Sequence, residues 1–125
     1  MPTIKKRSQP VIMETRREVY NSVTWHVRPT NWRPPVDVYN TAENFVIRME
    51  IAGIRDEDIE VAVKDDHILI SGSRSDTKER KAYHQMEIPF GKFSVGLDLP
   101  SKIKIEDATV EYKDGFLTIR IPKEI

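Results

Sequence analysis

From Val36 onwards apolar residues recur at every second position, and this pattern restricts the fold more than any other feature of the chain. Phe45, Ile47, Met49 and Ile51 alternate with Val46, Arg48 and Glu50. Ile59, Val61 and Val63 alternate with Glu60, Ala62 and Lys64. A period of two buries one face of an extended strand, whereas a helix repeats every 3.6 residues. The pattern predicts strands over 36–39, 45–51, 59–64, 67–72, 83–88, 93–99, 108–113 and 116–121, with a short extended piece at 103–105. Asp65-Asp66 and Asp114-Gly115 read as tight hairpin turns. Gly96 inside a strand suggests a bulge or a close backbone approach. Residues 73–82 hold Arg74, Asp76, Lys78, Glu79, Arg80 and Lys81 with no large apolar residue, and so read as a solvated loop. Ile plus Val number 25 against 9 for Leu plus Ala, which favours strands on propensity as well. Many short strands without a helical period predict an all-β, antiparallel, immunoglobulin-like β-sandwich. A chain of 125 residues holds one such core.

Ahead of it lies a different kind of sequence. Residues 1–35 carry five of the eight prolines and, with seven bases against two acids, a net charge of +5. The whole chain is neutral, so residues 36–125 carry −5. We read 1–35 as a flexible basic N-terminal arm with at most one short helix, over Met13–Val23, and 36–123 as the folded domain.

Several chemistries find no residues to carry them. There is no cysteine, which excludes disulfides, zinc–thiolate sites and a thiol nucleophile. No Gly-rich phosphate loop and no His-Glu-x-x-His motif occur, and no nucleophile is positioned by a recognisable motif. Asp56, Asp58 and Glu60 superficially match a calcium loop, but Val61 stands where that loop needs glycine. Asp65, Asp66 and His67 read as turn chemistry before they read as ligands. No enzyme activity, cofactor or metal is therefore expected. No apolar run has membrane-spanning length and the N-terminus lacks a signal-peptide core, so the expectation is a soluble cytoplasmic protein without a membrane partner. Tyr20, Trp25 and Trp32 sit among bases, but those bases are scattered, and nucleic acid is disfavoured as a partner.

Taken in order, a set of short passages resembles the small heat-shock proteins, with an α-crystallin domain of the bacterial and plant type. They are Trp32-Arg33-Pro34-Pro35-Val36-Asp37-Val38-Tyr39, Ile51-Ala52-Gly53-Ile54, Glu57-Asp58-Ile59-Glu60-Val61 and Ile68-Leu69-Ile70-Ser71-Gly72-Ser73-Arg74. Tyr83-His84, Gly91-Lys92-Phe93, Leu99-Pro100, Tyr112-Lys113-Asp114-Gly115-Phe116-Leu117-Thr118-Ile119 and Ile121-Pro122-Lys123 follow. The likeness covers about residues 32–123. Val95 stands where the family usually has an arginine, Val110 where it has alanine and Phe116 where it often has valine. The sequence stops at Ile125 without a detached Ile-x-Ile tail, which reads as a short form of the family.

The resemblance implies an ATP-independent holdase that binds partly unfolded client proteins and suppresses their aggregation under stress. It implies a strand-swapped homodimer or small oligomer, in which Tyr83, His84 and Met86 pair with Val36, Val38 and Tyr39 of the partner chain. It also implies an apolar groove for a tail or client, formed by Ile59, Val61 and Val63 with Ala108, Val110 and Tyr112. Plain core packing is the equal alternative for the groove residues, since one strand face must be core in any sandwich. In the arm, Val11, Ile12, Met13, Val19, Tyr20 and Trp25 are the expected client contacts, with Val11–Met13 a candidate to fill the groove. A CS-domain-like co-chaperone or adaptor with one defined partner is the competing reading.

Overall fold

Two hydrophobic strand faces in one chain must cover each other, and here they do so as two packed sheets. The computed structural model describes residues 31–124 and the backbone of 6–7. The strands are β1 (Lys6–Arg7), β2 (Asn31–Trp32), β3 (Val36–Asn40), β4 (Asn44–Glu50), β5 (Ile59–Lys64), β6 (His67–Arg74), β7 (Gly91–Asp98), β8 (Thr109–Lys113) and β9 (Phe116–Pro122). One sheet has the order β3-β4-β9-β8 and the other β1-β5-β6-β7-β2. Between them lies a core that includes Ile47, Met49, Ile51, Val61, Ile68, Ile70, Phe93, Val95, Leu117, Ile119 and Ile121, all essentially out of contact with water. These are the in-facing members of the alternating runs, so the all-β sandwich expected from periodicity is the observed architecture.

Both hairpin turns are where the sequence puts them. Asp65 has φ 55°, Asp114 φ 53° and Gly115 φ 83°. The last pair matches a two-residue turn with both central residues left-handed, joining Lys113 to Phe116 in β8–β9. Asp56–Asp58 and Ile105–Asp107 are single 3₁₀ turns; the second replaces the end of the extended piece expected at 103–105. Ile103 keeps a bridge to Lys123.

Three local readings change. Asn31–Trp32 lies in the stretch read as arm, yet it pairs with β7 in parallel, and Trp32 packs on the core. The Trp32 ring meets Phe93 edge-on at 5.7 Å, and its Nε1 donates to the Gly91 carbonyl at 3.1 Å. Second, the strand expected at 83–88 is absent: 75–90 contains no strand. A strand needs a neighbour for its backbone groups, and alternation along the chain does not show whether one will lie alongside. Third, Gly96 forms no bulge. It sits in unbroken register opposite Leu69, and among the described residues a Cβ there would meet only the Leu69 Cδ1, at 3.9 Å. The close approach is at Gly72 instead. The expected short helix over Met13–Val23 lies outside the described residues.

Candidate functional site

An edge strand exposes backbone donors and acceptors, and among the described residues β3 is such an edge. Glu50 N–H donates to the Pro35 carbonyl and Thr41 N–H to the Asn44 carbonyl. Hydrogen-bonded pairs alternate along an antiparallel ladder, so Asp37 and Tyr39 turn their backbone groups inward to β4. Val36, Val38 and Asn40 therefore aim theirs at the open edge. Val38 and Tyr39 are also exposed, and Val36 is half-buried against the core. The edge offers both strand-pairing groups and apolar surface.

The same chain carries a second exposed apolar segment. Tyr83, Met86 and Ile88 on the 75–90 loop are exposed, and so is His84. Several of its polar side chains bond one another. The Tyr83 hydroxyl donates to Asp76 Oδ2 at 2.9 Å, Lys81 Nζ donates to the same oxygen at 3.0 Å, and Thr77 N–H donates to Asp76 Oδ1 at 2.7 Å. The hydrogen bond from Lys81, with lesser help from Thr77 and Tyr83, holds the Asp76 carboxyl below its ordinary range. Gln85 and Glu87 pair through their side chains.

Because the Asp76 pKa is lowered in the folded chain, the latch is complete above the ordinary aspartate range of about 4 and is lost as pH falls through the lowered value. The Cζ chemical shift of Tyr83, followed by NMR, is expected to change over that acidic range. In Asp76→Asn it should already sit near the released position at neutral pH; an unchanged shift in the variant would mean that Asp76 does not hold Tyr83.

Arg74 fastens the root of this loop, a role the sequence reading missed by placing it in a solvated segment. It is the last residue of β6. Its guanidinium lies 4.4 Å from the Trp32 ring centroid and 5.3 Å from that of Phe90. Nη1 donates to the Ala52 carbonyl at 2.9 Å, and Nε donates to the Pro89 carbonyl at 3.1 Å. Burial pushes its pKa down from the ordinary value, but an arginine remains charged in water at neutral pH. The available signal was the aromatic pair Trp32 and Phe90, distant in sequence, which only the fold brings to one cation.

The six groove residues are found mostly in the core. Val61 is 0% and Val110 2% exposed, Ile59 and Val63 are also buried, and Ala108 and Tyr112 are half-buried against them. The Tyr112 hydroxyl donates to the Ile51 carbonyl at 2.8 Å. The edge beside them is in use: β1 adds to β5 in parallel, Lys6 opposite Val61 and Arg7 opposite Ala62. Val11, Ile12, Met13, Val19, Tyr20 and Trp25 lie outside the described residues. On the outer face of the four-stranded sheet, the Arg48 guanidinium stacks 4.1 Å above the Phe116 ring. His67 Nδ1 lies 2.7 Å from Asp98, but among the described residues no three His, Asp or Glu side chains are grouped to hold a metal ion. No helix among the described residues is long and apolar enough to cross a membrane.

Known proteins share this fold. The Hsp20/alpha crystallin family profile matches residues 37–125. Small heat shock protein C4 of Rickettsia felis is 25% identical, over 99% of this chain and 85% of its own length. The 17.5 kDa class I heat shock protein of Glycine max is 36% identical over 71% of this chain, and the match spans only 60% of that relative's length. A solved small heat-shock protein from Xylella fastidiosa superposes with a TM-score of 0.69 at 28% identity, covering 75% of this chain and 88% of that one. The hspA structure from Xanthomonas axonopodis gives 0.68 at 30% identity, covering 74% and 94%. A family match over most of the chain, on a sandwich with the same fold, leads to one conclusion: this chain belongs to the Hsp20/alpha-crystallin family of small heat-shock proteins.

Proposed function

We propose that the protein is an ATP-independent holdase that works as a strand-swapped dimer. The observation that carries this is the pairing of opportunities within one chain. An open β3 edge with exposed Val38 and Tyr39 coexists with an exposed loop bearing Tyr83 and Met86. Residues 83–86 of one protomer would add to β3 of the other, and by symmetry the reverse. Backbone hydrogen bonds supply the affinity, and alternate side chains supply the register. A partly unfolded client presents what a folded protein hides, namely apolar side chains and unpaired extended backbone. Apolar arm residues and an edge that accepts short strands, as β5 accepts β1, suit both. Such binding needs no nucleotide, because nothing has to be hydrolysed to make contact.

The decisive experiment is light scattering from a thermally aggregating enzyme, with and without this protein and with no nucleotide present. Sedimentation of the protein alone gives its mass in parallel. Scattering should fall by more than half at about one dimer per client, and the protein should sediment as a dimer or larger. Undiminished scattering in the presence of a monomer would overturn the proposal and favour an adaptor with a single partner.

A further inference from the structure

The sheet β1-β5-β6-β7-β2 has two faces, and both contain buried residues. The inner face belongs to the core. On the outer face Ala62 is 4%, Leu69 6% and Ser71 1% exposed, although none of the three belongs to the core cluster. Leu69 is the residue its sheet neighbours cannot shield: it lies opposite Ala62 on one side and Gly96 on the other. Ala62 also faces Arg7 across the ladder, and Ser71 lies between Glu60 and Ser94. On the other sheet Val46 is buried too, but it sits opposite the long side chains of Tyr39 and Arg120. The small residues around Leu69 offer no such cover.

Topology names the occupant. β1 lies at one margin of this sheet and β2 at the other. β1 runs parallel to β5 and β2 parallel to β7, while β6 is antiparallel to both, so β1 and β2 point the same way. Parallel strands in one sheet need a crossover connection, and here the connection is residues 8–30. It must pass three intervening strands, about 19 Å at the usual strand spacing. Extended chain of that length could span the distance several times over. The inner route is filled by Val61, Ile70, Phe93 and Val95. We propose that the outer face of β5–β6–β7, centred on Ala62, Leu69 and Ser71, is a docking surface for residues 8–30 of the same chain.

The segment is suited to it. It supplies Val11, Ile12, Met13, Val19, Val23 and Trp25, whereas the face offers Ala62, Leu69, Ser71 and Gly96, with Glu60, Lys64 and Lys92 at neighbouring positions. The consequence deepens the holdase reading, on which it otherwise does not depend: the apolar arm residues expected to meet clients rest on this face when no client is bound.

The test uses the full chain. The segment contains Arg16, Arg17 and Arg28, so trypsin reports how well it is held. Leu69→Glu places a charge on the face and is expected to speed cleavage at these sites at least tenfold. An unchanged rate in a folded variant would overturn the proposal. Should that variant fail to fold, a second measurement stands alone. The chain has no cysteine, so Ser94→Cys can carry a photo-crosslinker at the margin of the covered patch. Crosslinks mapping to residues 11–27 of the same molecule are expected. Crosslinks only to sheet residues, or only to a second, isotope-labelled copy, would each overturn the assignment. Neither readout involves client protection, so failure here and failure of the holdase reading are separable.

Discussion

Gly72→Ala is expected to lower the melting temperature by roughly 12–24 °C, from a cost of about 3 kcal/mol at about 4–8 °C per kcal/mol for a domain of this size. A Cβ on Gly72 would lie 2.3 Å from the Asp58 carbonyl oxygen and 2.8 Å from Phe93 Cζ. Neither neighbour can give way cheaply. The carbonyl is backbone at the entry to β5, whose first residue, Ile59, is opposite Gly72 in the ladder. Phe93 is fully buried and held by Trp32. Over-packing usually costs about 1–3 kcal/mol, and an obstacle made of backbone puts this case at the upper end. Gly96→Ala is the control. It lies in the same sheet with room for a methyl group, and should leave the melting temperature unchanged or raise it slightly. Equal losses in both variants would mean that strand glycines matter here for flexibility and not for space.

Val38→Pro is expected to convert the dimer to a monomer, with dimer affinity falling about 100-fold or more, while the sandwich stays folded. The Val38 N–H points at the open edge, because the inward-facing pairs of β3 are those of Asp37 and Tyr39. Proline removes only that donor and is tolerated on an edge strand. In a symmetric swap the loss is suffered twice, leaving two acceptors of the added strand unpaired at about 1–3 kcal/mol each. Tyr39→Pro is the contrasting variant. Its N–H serves the β3–β4 ladder, so this proline should destabilise the monomer itself. Sedimentation gives the mass and circular dichroism the fold. A Val38→Pro protein that remains dimeric would place the interface elsewhere and remove the structural basis of the swap.

The two variants also show which parts of the molecule were readable from the chain. Strand positions followed from alternation because burial of one strand face is a local, periodic requirement. Ile47, Val61, Ile70 and Ile119 each faced the core as their neighbours implied. The Asp114-Gly115 turn was legible because left-handed φ angles at both positions demand those residue types. Gly72 was not legible. Nothing in Ser71-Gly72-Ser73 reveals that Asp58 and Phe93 converge on it, whereas a Cβ on Gly96, equally conspicuous in sequence, would make no more than an ordinary contact with Leu69 among the described residues. Of the candidate site, Val38, Tyr39, Tyr83 and Met86 are exposed. The groove residues could be read as core or as surface, because alternation says that one face is buried but not what buries it.

The sequence by itself determined the fold class, the family, the two hairpin turns and the presence of a charged interruption after β6, though not its bounds, which are 75–90 and not 73–82. Each depends on neighbours within a few residues or on an ordered set of short motifs. Only the tertiary structure decided that Arg74 would gather Trp32, Phe90, Ala52 and Pro89, that Trp32 would join the sheet, and that residues 83–88 would not form a strand. Such contacts join residues far apart along the chain. They depend on which edges and faces the completed sandwich leaves open, and that is known only once every strand has taken its place.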